Sequence, residues 1–334
     1  MHPTRRTFLK LAAGAAAAAA VTRTASAAPP ARSAGGPGPS GSREPEPHSR
    51  AAPQGTPPAL TRSMVRANGV DLFVRDTGGN LPALLLLHGM QGRGETFTDL
   101  IARHRDRYRV IAPDMRGHGL SGRPVARYAT EDLAADAQAL LRTLGVSPAI
   151  VAGHSFGGLV AAFVAALYPQ DVRALALLDP PFDGPERPSD RAPDTIPDQD
   201  PMIADWPLPY PSRADAIRDL AARFPGPAYP GFFADSLVES VAGYTFMWSG
   251  RGMAAIYEYR QGSMHLLPRI ACPVLLLKAQ TTRVLSAERA AQVRGILRNC
   301  TYAEIPSCGH MLYLENPDGF NREFDAWLGR VGTR

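Results

Sequence analysis

The sequence predicts an α/β fold, with a mostly parallel sheet and helices on both faces. Three observations predict it. Short, continuously apolar runs such as 82–87 ("PALLLL") read as strands buried on both faces. These runs alternate with segments of helical periodicity. Small residues sit where strand passes into helix, most clearly in 149–165, "AIVAGHSFGGLVAAFVA".

Taken in order, 65–79 ("VRANGVDLFVRDTGG") shows two alternating stretches around Asn68-Gly69, a hairpin signal. The run 82–89 ("PALLLLHG") is the first buried strand, and 95–104 ("ETFTDLIARH") reads as a helix. A short strand then enters a Gly-rich loop in 108–121, "YRVIAPDMRGHGLS". The segment 128–145 is helical, with Thr130 expected as its cap and Gly145 as its stop. Next come strand 148–155 ("PAIVAGHS"), a helix ended by Pro169, and strand 172–179, "VRALALLD". The alternation resumes with strand 272–280 ("CPVLLLKAQ"), helix 286–299, strand 301–307 ("TYAEIPS") and a last helix in 317–331.

Residues 182–268 interrupt this rhythm. They are Pro-rich and then aromatic, and they read as a helical cap inserted after the strand ending at Asp179. Such an insertion belongs over the carboxyl ends of the strands, where open sheets bind ligands. Most of its aromatics serve its own core, with Trp248 the candidate to face a substrate.

The N-terminus stands apart. Residues 4–10 ("TRRTFLK") precede an apolar run, 11–21, too short for a stable membrane anchor, and "ASA" at 25–27 is a small-residue cleavage site. Residues 1–27 resemble a twin-arginine signal peptide. The resemblance implies handling by the twin-arginine export machinery, a periplasmic or extracellular destination, and no stable membrane span after processing. Residues 28–60 are rich in Pro, Gly and Ser and are expected to form a disordered linker. The folded domain is expected over 61–330.

Charge adds little. Arg5, Arg6, Lys10 and Arg23 lie in the signal, so removing those four from the formal +5 leaves +1. No basic cluster recurs, which argues against nucleic-acid binding. The three cysteines, Cys272, Cys300 and Cys308, form no C-x-x-C and give no zinc or thioredoxin-like pattern. In an exported chain Cys300 and Cys308 either bridge or remain buried thiols. No phosphate loop, metal cluster or nicotinamide site is visible, so neither metal nor cofactor is expected.

The stretch Gly153-His154-Ser155-Phe156-Gly157 is a Gly-x-Ser-x-Gly between strand and helix, which presents a hydroxyl on a sharp turn at a helix N-terminus. With it, "HGMQG" (88–92), "DMRGHGLS" (114–121) and "SCGHMLYLENPDGF" (307–320) resemble, in order, motifs of the α/β-hydrolase superfamily. The resemblance spans about 62–330 and implies an α/β-hydrolase fold. It implies Ser155 as nucleophile, His310 as base, and the backbone N–H groups of Met90 and Phe156 as oxyanion donors. His88 and Trp248 are candidates for the substrate pocket.

The acid departs from the commonest pattern. In the loop 278–286 ("KAQTTRVLS"), Thr282 stands where many relatives carry Asp. Threonine cannot balance an imidazolium, so Asp179, at a strand end where part of the superfamily keeps its acid, is the expected partner. Glu288 and Glu304 are lesser candidates. A serine at the elbow disfavours alkyl-enzyme chemistry on epoxides or halides. The leading expectation is a serine hydrolase cleaving a carboxylic ester or lactone of a small apolar substrate through an acyl-enzyme. Alternatives are C–C bond hydrolysis, cofactor-free perhydrolysis, or a capped small-molecule binding protein with little turnover.

Overall fold

Eight strands build one sheet in the computed structural model, which describes residues 59–224, 226 and 228–332. The expected signal peptide and nearly all of the expected linker lie outside the described residues. β1 (Thr61–Ala67) and β2 (Val70–Asp76) form an antiparallel hairpin. Its turn needs positive φ at both central positions, and Asn68 (47°) and Gly69 (75°) adopt it.

β3 (Ala83–Leu87) leads into α1 (Thr98–His104), then β4 (Arg109–Pro113) and α2 (Thr130–Thr143). β5 (Ala149–His154) turns into α3 (Phe156–Leu167), followed by β6 (Val172–Leu178). With two later strands, β9 (Val274–Ala279) and β10 (Cys300–Ile305), the spatial order is β1-β2-β4-β3-β5-β6-β9-β10, parallel from β4 onward. The chain builds outward from β3 in both directions, so a crevice opens at the carboxyl ends of β3 and β5.

Alternation along the strands separates two cores. Leu85 and Leu87 of β3 pack with Val151, Leu175 and Leu177 toward α2 and α3. Leu84 and Leu86 pack with Ile150 and Ala152 on the opposite face, against α1 and the C-terminal helix. All four leucines are fully buried, which is why the run shows no polar alternation. Truncating any one to Ala costs about 2–5 kcal/mol.

Between β6 and β9 lies the cap: α4 (Arg213–Arg223), α5 (Ala228–Ala234), the hairpin β7 (Leu237–Ser240) and β8 (Gly243–Phe246), and α6 (Gly250–Tyr259). The cap is therefore helical with one added hairpin, formed where Val238, Thr245 and their neighbours alternate across two short strands. β9 (Val274–Ala279), α7 (Ala287–Ile296), β10 (Cys300–Ile305), the short α8 (Leu312–Glu315) and α9 (Pro317–Val331) complete the chain.

Thr130 differs from its expected role. Ala129 precedes the helix, and the Asp132 carboxylate accepts the Ala129 N–H at 3.2 Å. The Thr130 hydroxyl instead donates to the Gln261 carbonyl (3.1 Å) and accepts its N–H (2.9 Å), tying the cap's exit to α2. All three cysteines are free thiols, and burial pushes each up to about 11, so they are poor nucleophiles.

Candidate active site

Ser155 sits at the tip of the β5–α3 turn with φ 53° and ψ −123°, a conformation that costs about 1–3 kcal/mol in a non-glycine residue. Its surroundings enforce the strain. The Ser155 N–H donates to the Leu178 carbonyl at 3.0 Å. A Cβ on Gly153 would lie 2.2 Å from the Gly157 carbonyl oxygen, and one on Gly157 would lie 2.2 Å from that of Leu87. Only glycine at both positions lets α3 start this close to β5 and β3. The tight approach holds the hydroxyl above the sheet at a helix N-terminus.

His310 follows β10. Its ring Nε2 accepts the Ser155 Oγ–H at 2.7 Å, and its Nδ1–H donates to Asp179 Oδ2 at 2.6 Å. Asp179 is fully buried at the end of β6, with φ 51°. Its N–H donates to Leu277 (2.8 Å) and its Oδ1 accepts the Ala279 N–H (3.2 Å). β6 pairs directly with β9, Leu178 opposite Leu277. A carboxylate leaving β6 thus reaches the imidazole beside the end of β9. Thr282, past that end, spends its hydroxyl on the Val284 N–H at 3.0 Å. Glu304 pairs with Lys278 at 3.0 Å, and Glu288 lies in the first turn of α7.

The loop after β3 crosses Ser155: a Cβ on Gly89 would stand 3.3 Å from Ser155 Cβ. Met90 is half-buried, and Phe156 is the first residue of α3. Among the described residues neither backbone N–H has a hydrogen-bond acceptor.

His88 has a different place from the one expected. It is fully buried, its Nε2 accepts the Met115 N–H at 2.9 Å, and its Nδ1–H donates to the Gly89 carbonyl at 2.8 Å. It braces two loops and does not line a pocket. Burial lowers its pKa to about 4, so the brace stays neutral. Trp248 is also internal: it stacks on Phe246 with centroids 4.2 Å apart. Both rings line a cavity of about 320 Å³ with Asp200 and Trp206. Neither Ser155 nor His310 lines that cavity, which lies within the cap.

Sequence reasoning missed three supports. His154 Nε2–H donates to the His310 carbonyl at 2.8 Å, and its ring lies 4.7 Å from the His310 ring. Burial, then the neighbouring His310, holds His154 well below the usual imidazole range. Glu315 accepts the N–H groups on either side of His310, Gly309 at 2.7 Å and Met311 at 3.1 Å. Gln91, next to Met90, has φ 60° and a buried amide bonded to Asp200 of the cap at 3.1 Å. The i−1 position of His154 and the Glu five residues after His310 were the available signals; nothing local announced Gln91.

Comparison with known proteins bears on the family and the fold. A family model described as alpha/beta hydrolase fold matches residues 82–317. A second, for the twin-arginine translocation pathway signal sequence, matches residues 2–22, so the chain carries a signal for export across a membrane. Among curated relatives, 2-(acetamidomethylene)succinate hydrolase of Mesorhizobium japonicum is 29% identical, covering 75% of this chain and 88% of that protein. The magnesium-chelatase 30 kDa subunit of Rhodobacter capsulatus is 30% identical, covering 84% of this chain and 98% of its own. Among solved structures, the crystal structure of E-2-(acetamidomethylene)succinate hydrolase superposes with TM-score 0.65 at 24% identity, over 80% of this chain and 100% of that one, a likeness of fold.

Proposed function

Because the chain belongs to the alpha/beta hydrolase fold family and is an enzyme of it, we propose that it is a serine hydrolase cleaving a carboxylic ester or lactone of a small apolar substrate through an acyl-enzyme. The observation that carries this reading is the continuous relay from the Asp179 carboxylate through His310 to Ser155, at 2.6 and 2.7 Å.

The proposed chemistry follows from which atom holds each proton. His310 Nδ1–H is committed to Asp179, which leaves Nε2 unprotonated and able to take the hydroxyl proton as Ser155 Oγ attacks the substrate carbonyl. The carbonyl π electrons move onto oxygen, where the Met90 and Phe156 N–H groups receive them; one such donor is worth about 3–4 kcal/mol in other enzymes. Protonated His310 then gives its proton to the leaving alkoxide. Water, deprotonated by the same Nε2, hydrolyses the acyl-enzyme. Asp179, buried and fixed by Ala279, steadies the imidazolium throughout.

An amide-type acyl group is a second reading, favoured by the relative whose name specifies an acetamidomethylene substrate. The same relay serves both, because the leaving group differs only in needing its proton earlier. We further place the mature enzyme in the periplasm or outside the cell, cleaved near Ala27, on the strength of the signal match.

The test is hydrolysis of 4-nitrophenyl esters of short acids beside the matching anilides, with Ser155→Ala as control. Ester turnover that drops by at least about 10⁴ in the variant, with a fluorophosphonate labelling Ser155, is expected. Folded protein that neither turns over nor labels contradicts the reading.

A further inference from the structure

We infer that the cap holds the oxyanion loop in its working shape through Gln91, making Gln91 and Asp200 positioning residues for the proposed hydrolysis; this rests on the reading of Met90 as an oxyanion donor. Gln91 adopts φ 60°, a left-handed backbone that its own covalent structure disfavours. Within the loop the Gly92 N–H donates to the Gly89 carbonyl at 3.1 Å, closing a turn with Gln91 at its third position, a place that favours glycine.

The cap supplies separate holds. Gln91 Nε2–H donates to Asp200 Oδ2 at 3.1 Å, in the stretch preceding α4. The Ser236 hydroxyl, between α5 and β7, donates to the Gln91 carbonyl at 3.3 Å. The Phe232 ring of α5 lies against Gly92, where a Cβ would come within 2.7 Å of it. Asp200 is itself fixed, its Oδ1 accepting the Met202 N–H at 2.9 Å. Gln91, Asp200 and Ser236 are each at most 3% exposed, so water does not compete for these bonds.

The consequence is directional. Gly89 ψ and Met90 φ set where the Met90 N–H points, and anchoring Gln91 and Gly92 to the cap fixes the chain end from which those two rotations are held. A donor displaced by about 1 Å loses most of its hold on a developing oxyanion. Seating of the cap and assembly of the oxyanion hole are one event, and an enzyme whose cap is lifted has Ser155 and His310 intact but no complete hole.

The experiment compares Gln91→Met, which keeps bulk and loses the amide, with Asp200→Ala, the double variant and Asp200→Asn. Kinetics on a 4-nitrophenyl ester are read with inhibition by a trifluoromethyl ketone, a tetrahedral mimic. Each single variant should lower kcat about 10- to 100-fold with KM little changed, and weaken the ketone by the same factor. The shape of the pH profile should stay that of the wild type. The double variant should lose no more than the worse single one, and Asp200→Asn, which retains an acceptor, should recover most of the Asp200→Ala loss. Wild-type kcat in both single variants, multiplicative losses in the double, or a loss confined to KM overturns the inference. Retained turnover in Ser155→Ala would instead overturn the hydrolase reading, so the two failures are distinct.

Discussion

Asp179→Asn tests the relay most sharply because the structure dictates how the amide will sit. Asp179 Oδ1 accepts the Ala279 N–H, and Oδ2 accepts His310 Nδ1–H. An asparagine has one acceptor and one donor group for these two partners. If its oxygen keeps Ala279, its NH₂ faces His310 Nδ1. The imidazole must then carry its proton on Nε2, where it blocks removal of the Ser155 proton. If the amide flips, its NH₂ meets the Ala279 N–H and leaves a buried donor unpaired, at about 1–3 kcal/mol. The first arrangement should dominate. To the wrong tautomer is added the lost stabilisation of the imidazolium. In a protease with the same constellation the two together cost about 10⁴ in rate, which corresponds to about 5 kcal/mol of barrier. We expect kcat/KM on a 4-nitrophenyl ester to fall between about 10³- and 10⁴-fold, measured against a Ser155→Ala background, with the melting temperature recorded to exclude unfolding. A variant folded like wild type and within tenfold of its activity would refute the assignment of Asp179.

Further outcomes follow from the same geometry. Thr282→Ala removes only a hydroxyl serving the Val284 N–H, and should leave kcat/KM within a few-fold of wild type in the same assay. Gly157→Ala places a Cβ 2.2 Å from the Leu87 carbonyl oxygen and should destabilise by about 3 kcal/mol in urea titrations, whereas Gly329→Ala, with open space around it, should stabilise by about 0.5–1 kcal/mol. Acid should unfold the protein. His88 and His118 are buried neutral, with pKa values lowered by burial from 6.5 to about 4 and about 3. The unfolded chain binds those protons first, so their contribution is complete above pH 6.5 and is lost as pH falls toward 4. At about 1.4 kcal/mol per pH unit His88 alone removes about 3 kcal/mol over that range. A denaturant midpoint that stays level from pH 7 to 4 would contradict this.

The fold was legible because its signals are local. Leu84–Leu87 must be buried on both faces whatever surrounds them, and Asn68-Gly69 makes its turn from its own dihedral preferences. The elbow was legible because a carbonyl 2.2 Å from a would-be Cβ leaves only glycine at Gly153 and Gly157. Asp179 was the harder inference. It rested on the resemblance, which offers a strand-end acid at that place; that β6 pairs directly with β9 is a property of topology, which only the structure shows. Side-chain direction was beyond reach. His88 occupies a motif position two residues before Met90, yet its ring turns inward to the Met115 N–H; Trp248 turns to Phe246 within the cap. The same limit hid Gln91, whose partner Asp200 is 109 positions away. The side chains that grip Gln91 from the cap, Asp200 and Ser236, lie far along the chain, so no local pattern pointed to it. That is also why the cap, the segment with the least regular sequence pattern, is where the control of this site should be sought: what shapes the hole is long-range contact, and long-range contact leaves no local trace.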